Sequence, residues 1–259
     1  IGPFNVESAP ADPAAAAQRI VEAVDNLVLT RQCIYGIASL HGYRATFLPK
    51  LRPMEGGNAS HFHLGLRLAG SDTNVFEADV ARSQQFTAGI IAELPSIIVL
   101  LASSINSYER LQPHSWAGAF QCHGYENREA PVRGIAGSRA KEATGETDHL
   151  EIKTVDATAN PYLALGALVA AGALGIERKS PLPPPVQGDP ALLPSDQQPA
   201  RLPGSLRAAI DALKASADVW EPILSPSYFS VLIKLREAEL EHYEKLDHDD
   251  LLKALVQRF

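Results

Sequence analysis

Three arginines, Arg110, Arg128 and Arg133, lie within Asn106–Arg133 among Gly, Pro, Asn and aromatic residues. A guanidinium grips carboxylate or phosphate with a two-pronged fork. Several forks converging on one cleft would bind an anion-rich ligand, such as a nucleoside triphosphate or a dicarboxylate. Spacing alone leaves open three unrelated surface arginines in weak ion pairs. Upstream, His61, His63, Gly65 and Arg67 alternate with Phe62, Leu64, Leu66 and Leu68. That period of two predicts a strand with an apolar core face and an opposite face bearing two imidazoles and a guanidinium. Gly56 and Gly57 precede it, so the backbone there can approach a ligand closely. Imidazole serves as a metal ligand and phosphate partner, although a single histidine on a strand is usually structural. Downstream, His149, Glu151, Lys153 and Val155 share one face of a further predicted strand. If that face lines the cleft, Glu151 is a candidate metal ligand; otherwise Glu151 and Lys153 pair across solvent.

The elements that must position these groups are legible in outline. Residues 1–9 read as an extended piece, with Asn5 and Glu7 on one face and Phe4 and Val6 on the other. Asp12-Pro13 opens a helix to about Leu40, with Ile20, Val24, Leu27, Val28, Ile34 and Ile37 as its stripe and Gly42 as its stop. Cys33 falls within that pattern as a core residue. Tyr43 to Pro49 alternates like a strand. Residues 79–104 predict two apolar helical segments, broken at Pro95. Ala117–His123 and Pro131–Ile135 read as strands, and 136–148 as a loop. Asn160-Pro161 opens a buried, Ala-rich helix to about Ile176. Seven prolines in 181–199 mark an irregular connection. Helices follow over about Ser205–Ala217, Pro226–Leu246 and Asp249 to the end. In the middle one Val231, Leu232, Leu235, Ala238 and Leu240 are expected inward.

With 259 residues the chain is long enough for one large domain or two small ones. A net charge of -7 argues against a general nucleic-acid binder. No uninterrupted apolar run reaches the roughly 18 residues of a membrane span. Cys33 and Cys122 lack metal-type spacing and are expected as reduced thiols in a cytoplasmic protein. The start, Ile1-Gly2-Pro3-Phe4, has neither Met nor a charged leader and reads as beginning in mid-protein.

Five ordered motifs carry a resemblance. Ala45–Lys50 is similar to the strand before the glycine loop of the glutamine synthetase catalytic domain, and Gly57–His63 resembles that family's G-S-G-x-H-x-H. Asn106–Leu111 resembles its N-S-Y-x-R-L, Glu126-Asn127-Arg128 with Arg133 its nucleotide-binding arginines, and Asp156–Leu165 its D-x-x-A-N-P-Y-L-A. The Trp116 segment, with Gln121-Cys122 and Glu129-Ala130-Pro131, is similar to the nodulin/FluG-type branch.

The resemblance implies an α+β fold over residues 1–259, a curved, mainly antiparallel sheet with helices packed outside. It implies an ATP-dependent carboxylate–amine ligase: ATP phosphorylates a glutamate side chain, and ammonia or an amine displaces phosphate, with Mg2+ or Mn2+ neutralising charge. Carried over by position, His61 and Glu151 are metal ligands and His63 lies at the nucleotide. Gly57 and Arg110 hold the amino acid, and Arg128 and Arg133 hold phosphates, with Arg110 and Arg133 as the catalytic pair. Lys153 takes the place of a substrate-contacting arginine, keeping the charge but losing the fork. Three departures accompany this. Asn5 replaces a carboxylate ligand, for which Glu7 is the candidate substitute. Trp116 replaces the acid that holds ammonium, and its indole suits an organic amine. The family's N-terminal β-grasp domain, which closes a neighbour's site in a homo-oligomeric ring, is absent from this sequence. A nucleotide- or amino-acid-binding domain without turnover and an assembly module are the competing expectations.

Overall fold

The structure, a computed structural model, describes residues 12–53, 55–137 and 146–259. Asn5 and Glu7, and most of the expected 136–148 loop, lie outside them. Helix α1 spans Pro13–Leu40; the Asp12 carboxylate caps it by accepting the Ala14 N–H at 3.1 Å. The chain leaves it through Gly42 at φ +74°. Its predicted stripe is not a buried face: Val24 is buried, but Ile20 and Ile37 are exposed. Cys33 is exposed too, a correction of its expected core position. No ladder forms over Tyr43–Pro49; this run is tied instead to the chain's end, where the Phe47 N–H donates to the Phe259 carbonyl at 2.7 Å.

Four strands make one sheet in the order β1-β4-β3-β2: β1 Phe62–Leu64, β2 His123–Tyr125, β3 Val132–Ile135 and β4 His149–Ile152. The β1–β4 and β4–β3 pairs are antiparallel, as expected, and the β2–β3 pair is parallel. The fold is therefore α+β with a mixed sheet. The strand expected over Ala117–His123 begins only at His123; before it, Phe120 bridges Arg201. The period of two after His61 holds, because Phe62, Leu64 and Leu66 pack on the core while His63 is exposed.

Short helices α2 (Val75–Ala78) and α4 (Ser107–Arg110) flank the long apolar α3 (Val80–Leu101). Pro95 does not break α3. A mid-helix proline orphans the carbonyl four residues earlier. Here the Gln121 side-chain amide donates to that carbonyl, Ile91 O, at 2.9 Å and to Ala92 O at 3.3 Å. By length and composition α3 alone, among the described residues, could cross a membrane, but 78% of its apolar window is buried inside the fold. Its main partner is α5 (Pro161–Glu177), capped by Asn160. The two backbones touch: a Cβ on Gly175 would lie 2.2 Å from Gln85 O and 2.6 Å from Gly89 Cα. Not all of α5 is buried, since Tyr162 and Val169 face out.

The C-terminal helices are α6 (Leu206–Ala215), α7 (Ala217–Leu224), α8 (Pro226–Tyr243) and α9 (His248–Arg258). The sequence pattern did not separate α7. On α8 the inward side chains are Phe229, Leu232, Ile233 and Leu240; Val231 and Leu235, expected inward, are 61% and 48% exposed. The proline-rich 181–199 contains one 3-10 turn and is pinned to the sheet. The Asn127 amide donates to Val186 O and Gly188 O, both at 2.8 Å, and His123 meets Pro183 O at 2.7 Å.

Candidate active site

The pairing β1–β4–β3 does what no local pattern could: it sets His63, Glu151 and Arg133 side by side in register. Glu151, at the centre, is buried. Its Oε1 lies 2.9 Å from His61 Nδ1, and its Oε2 accepts Arg133 Nη1 at 3.1 Å. Arg133 also pairs with Glu126, whose other oxygen accepts the Ala136 N–H at 2.9 Å. Burial alone would raise the Glu151 pKa, but the bond from His61, the nearby Lys153 ammonium and the bond from Arg133 outweigh it and hold it at about 2. Glu151 and Lys153 thus pair within the fold, not across solvent. Lys153 is buried with Nζ 4.0 Å from Glu151 Oε1, and among the described residues its ammonium makes no hydrogen bond. Burial pushes its pKa down against the pull of Glu151.

His63 Nδ1 lies 3.0 Å from His149 Nε2. Burial pushes both imidazoles down, so each favours its neutral form. His149 was not singled out as a site residue, although it stands two before Glu151 on the same face. Glu126 was missed as well, and its only local signal is adjacency to Asn127-Arg128.

Gly57 and Arg110 are brought into contact: a Cβ on residue 57 would sit 2.6 Å from Arg110 Cγ and 3.1 Å from Pro49 O, so only glycine fits. The loop is held there by Asn106, whose amide exchanges hydrogen bonds with the Lys50 N–H and carbonyl, both at 2.8 Å. Arg110 itself is buried. Its fork donates to Lys153 O at 3.1 Å and Thr154 O at 2.7 Å, with Asp156 Oδ2 at 3.7 Å and Nε left without a partner. It braces the end of β4 under Lys153.

Arg128 and Trp116 form a separate group. Trp116 is 62% exposed, at φ +56°, and Arg128 Cζ lies 5.9 Å from its ring centroid. Its N–H donates to Glu129 Oε2 at 3.3 Å. Within this chain Trp116 is not part of the core.

His61 and Glu151, the expected metal ligands, are brought together by the sheet. Hard cations take six or more donors, mostly oxygen. Among the described residues no group of three His, Cys, Asp or Glu could hold a metal. The remaining ligands must come from elsewhere; Glu7, the expected third ligand, lies outside the described residues. Cys122, buried, has its thiol pushed up to about 12 and offers no thiolate at neutral pH.

Residues 12–254 match the glutamine synthetase catalytic-domain family. The chain is 36% identical to gamma-glutamylpolyamine synthetase GlnA3 of Streptomyces coelicolor, across 98% of this chain and 54% of that protein. It is 31% identical to the protein fluG of Emericella nidulans, across 99% of this chain and 28% of that one. A glutamine synthetase of Thermus thermophilus is 30% identical, across 95% and 57%. Among solved structures, ligand-free GmaS superposes with a TM-score of 0.74 at 28% identity, over 87% of this chain and 51% of that one. The GmaS–ADP complex gives 0.75 at 26%, over 87% and 52%. The chain thus spans about half the length, or less, of these relatives.

Proposed function

This chain belongs to the glutamine synthetase family through its catalytic domain, and from that premise we propose that it is the catalytic part of an ATP-dependent ligase joining a glutamate-like carboxylate to an organic amine. The observation that carries the proposal is the buried Lys153 ammonium, which makes no hydrogen bond among the described residues and lies beside Glu151, His61 and Arg133. A buried cation left in that state is costly unless an anion arrives. A carboxylate substrate or its acyl phosphate is such an anion.

The family uses ATP and divalent metal ions in general. When bound, the metal and nucleotide supply charge neutralisation and the phosphoryl group. His61 and Glu151 would hold the metal's inner side, and Arg133, His63 and Arg128 would face phosphates. Gly57 would let the amino acid approach the backbone, with Arg110 fixing the strand that presents Lys153. A neighbouring subunit of a homo-oligomeric ring would supply the missing ligands, in a cytoplasmic setting where both cysteines stay reduced. An organic amine is preferred over ammonia because residue 116 is an exposed indole, a surface suited to an alkylammonium group. The GlnA3 relative is a polyamine ligase by name.

The test is calorimetry with Mg-ATP on this chain, followed by glutamate-dependent phosphate release with ammonium, methylamine and a polyamine. Nucleotide should bind at about 0.1–1 mM, roughly 4–5 kcal/mol. Release should be faster with an organic amine than with ammonium. Absence of heat at millimolar nucleotide on a folded sample would sink the nucleotide site. Binding with no turnover for any amine would favour the reading as a binding domain.

A further inference from the structure

The loop carrying Trp116 is braced at three successive residues. His114, at φ +60°, pairs with Asp189, the Ser115 hydroxyl donates to Arg110 O at 3.0 Å, and the Trp116 N–H donates to Glu129. Non-glycine residues at positive φ are strained, and two in three residues persist only where surrounding contacts hold them. The result is a large apolar ring exposed to solvent on a braced backbone, with the Arg128 guanidinium 5.9 Å from its centroid.

Glu129 is the carboxylate at the backbone of the residue that carries this ring. Its Oε2 accepts the Trp116 N–H; among the described residues its Oε1 accepts no hydrogen bond. Its place relative to the centre is set by backbone contacts. The Lys153 N–H donates to Pro131 O at 2.9 Å, and a Cβ on Gly118 would collide with Pro131 Cα at 2.5 Å. Residues 129–131 therefore run between the Trp116 loop and β4, at the level of Lys153. The Lys153 ammonium lies 4.0 Å from Glu151 Oε1 and within electrostatic reach of Glu129. An electrophilic carboxyl derivative held at Lys153 would meet an amine coming from the Trp116 side.

We propose that Glu129 holds the ammonium group of the acceptor amine, with the amine's alkyl chain against the Trp116 indole. This rests on the ligase reading above and assigns its acceptor subsite. The class of ligand is a primary alkylammonium ion. Burial, with the neighbouring Asp189 charge adding to it, pushes the Glu129 carboxyl up against the pull of the Trp116 N–H, His114 and Lys153, and a bound ammonium would favour its charged form further.

Trp116 and Trp220 are the two tryptophans, and Trp220 is fully buried, so the exposed emission reports Trp116. Wild-type protein titrated with butylamine and with 1,4-diaminobutane should show a saturable change in that emission, and the neutral amide butyramide should not. E129Q should shift the midpoint at least tenfold upward. W116A, followed by calorimetry, should weaken amine binding several-fold; unchanged affinity in this variant overturns the proposal even where E129Q does not fold. A midpoint within twofold of wild type in folded E129Q, or no saturable change at 100 mM amine, also overturns it. Turnover separates the two levels. Amine ligation by E129Q with an unchanged KM for amine sinks the Glu129 assignment and leaves the ligase reading standing. Amine binding that depends on Glu129 without product does the reverse.

Discussion

Glu93 on α3 sits among Ser96, Trp220 and Arg178, whereas Glu151 on β4 sits among His61, Arg133 and Lys153. Both carboxylates are buried. Glu93 has one cation, Arg178 Nη1 at 2.8 Å, and two neutral donors on its other oxygen, Ser96 and Trp220, each at 3.1 Å. The donors nearly match the acceptors and the charge is balanced. Glu151 faces two cations and an imidazole, and the Lys153 ammonium beside it makes no hydrogen bond among the described residues. A satisfied buried network rigidifies a core; an unsatisfied one is costly and persists where a ligand completes it. The helical layer is completed by folding alone, whereas the sheet face leaves the Lys153 ammonium to the anion that the proposed function brings.

Four experiments would break or sharpen that contrast. The largest effect is expected from Trp220→Ala. It removes a fully buried indole and leaves Glu93 and Ser96 short of a donor, so it should cost about 3–5 kcal/mol in denaturant unfolding. Mg-ATP affinity below the transition should not change; a weaker affinity in folded protein would show that the two regions are not separable.

Acid comes next. The Glu151 pKa is about 2 in the fold against an ordinary 4.5, so its charged form is favoured by folding. That stabilisation, about 3 kcal/mol, is complete above about pH 4.5 and is lost as the pH falls through about 2. Acid titration followed by circular dichroism should show this component in wild type and not in Glu151→Gln. Identical acid profiles for the two proteins would count against the charge balance described at β4.

A smaller loss, about 1–3 kcal/mol, is expected from Gly175→Ala, because the new methyl would press on Gln85 O and Gly89 Cα and part α3 from α5. For a domain of this size that is a fall in Tm of about 2–4 °C per kcal/mol. The smallest effect belongs to Val231→Ser on the outer side of α8, which should stay within about 0.5 kcal/mol of wild type. A larger loss would mean that this side chain is covered after all.

Where the sequence was legible, the determinants were local. Asp12 and Asn160 cap the helices expected of them, and the alternation after His61 sorts His63 from Phe62 and Leu64. Where it was not, a distant partner decided. Pro95 leaves α3 intact because Gln121 supplies the missing donor. Val231 and Leu235 face out because α8 packs against α6 and α7 through its other face, which carries Leu232, Ile233 and Leu240. The exposure of Trp116 and the positive φ of its backbone were not legible in its local sequence either.

The sequence by itself determined the family, the helix starts, the core face of β1 and the identity of the charged groups, because motif spacing and periodicity are properties of one segment at a time. The tertiary structure decided which of those groups meet. Glu151 touches His61 and Arg133 because the β1–β4 and β3–β4 registers align residues about 90 and 18 positions apart. A register shifted by one residue would send each side chain to the other face of the sheet. Pairing between strands is thus a cooperative choice of the whole fold, and the site's geometry is inherited from it.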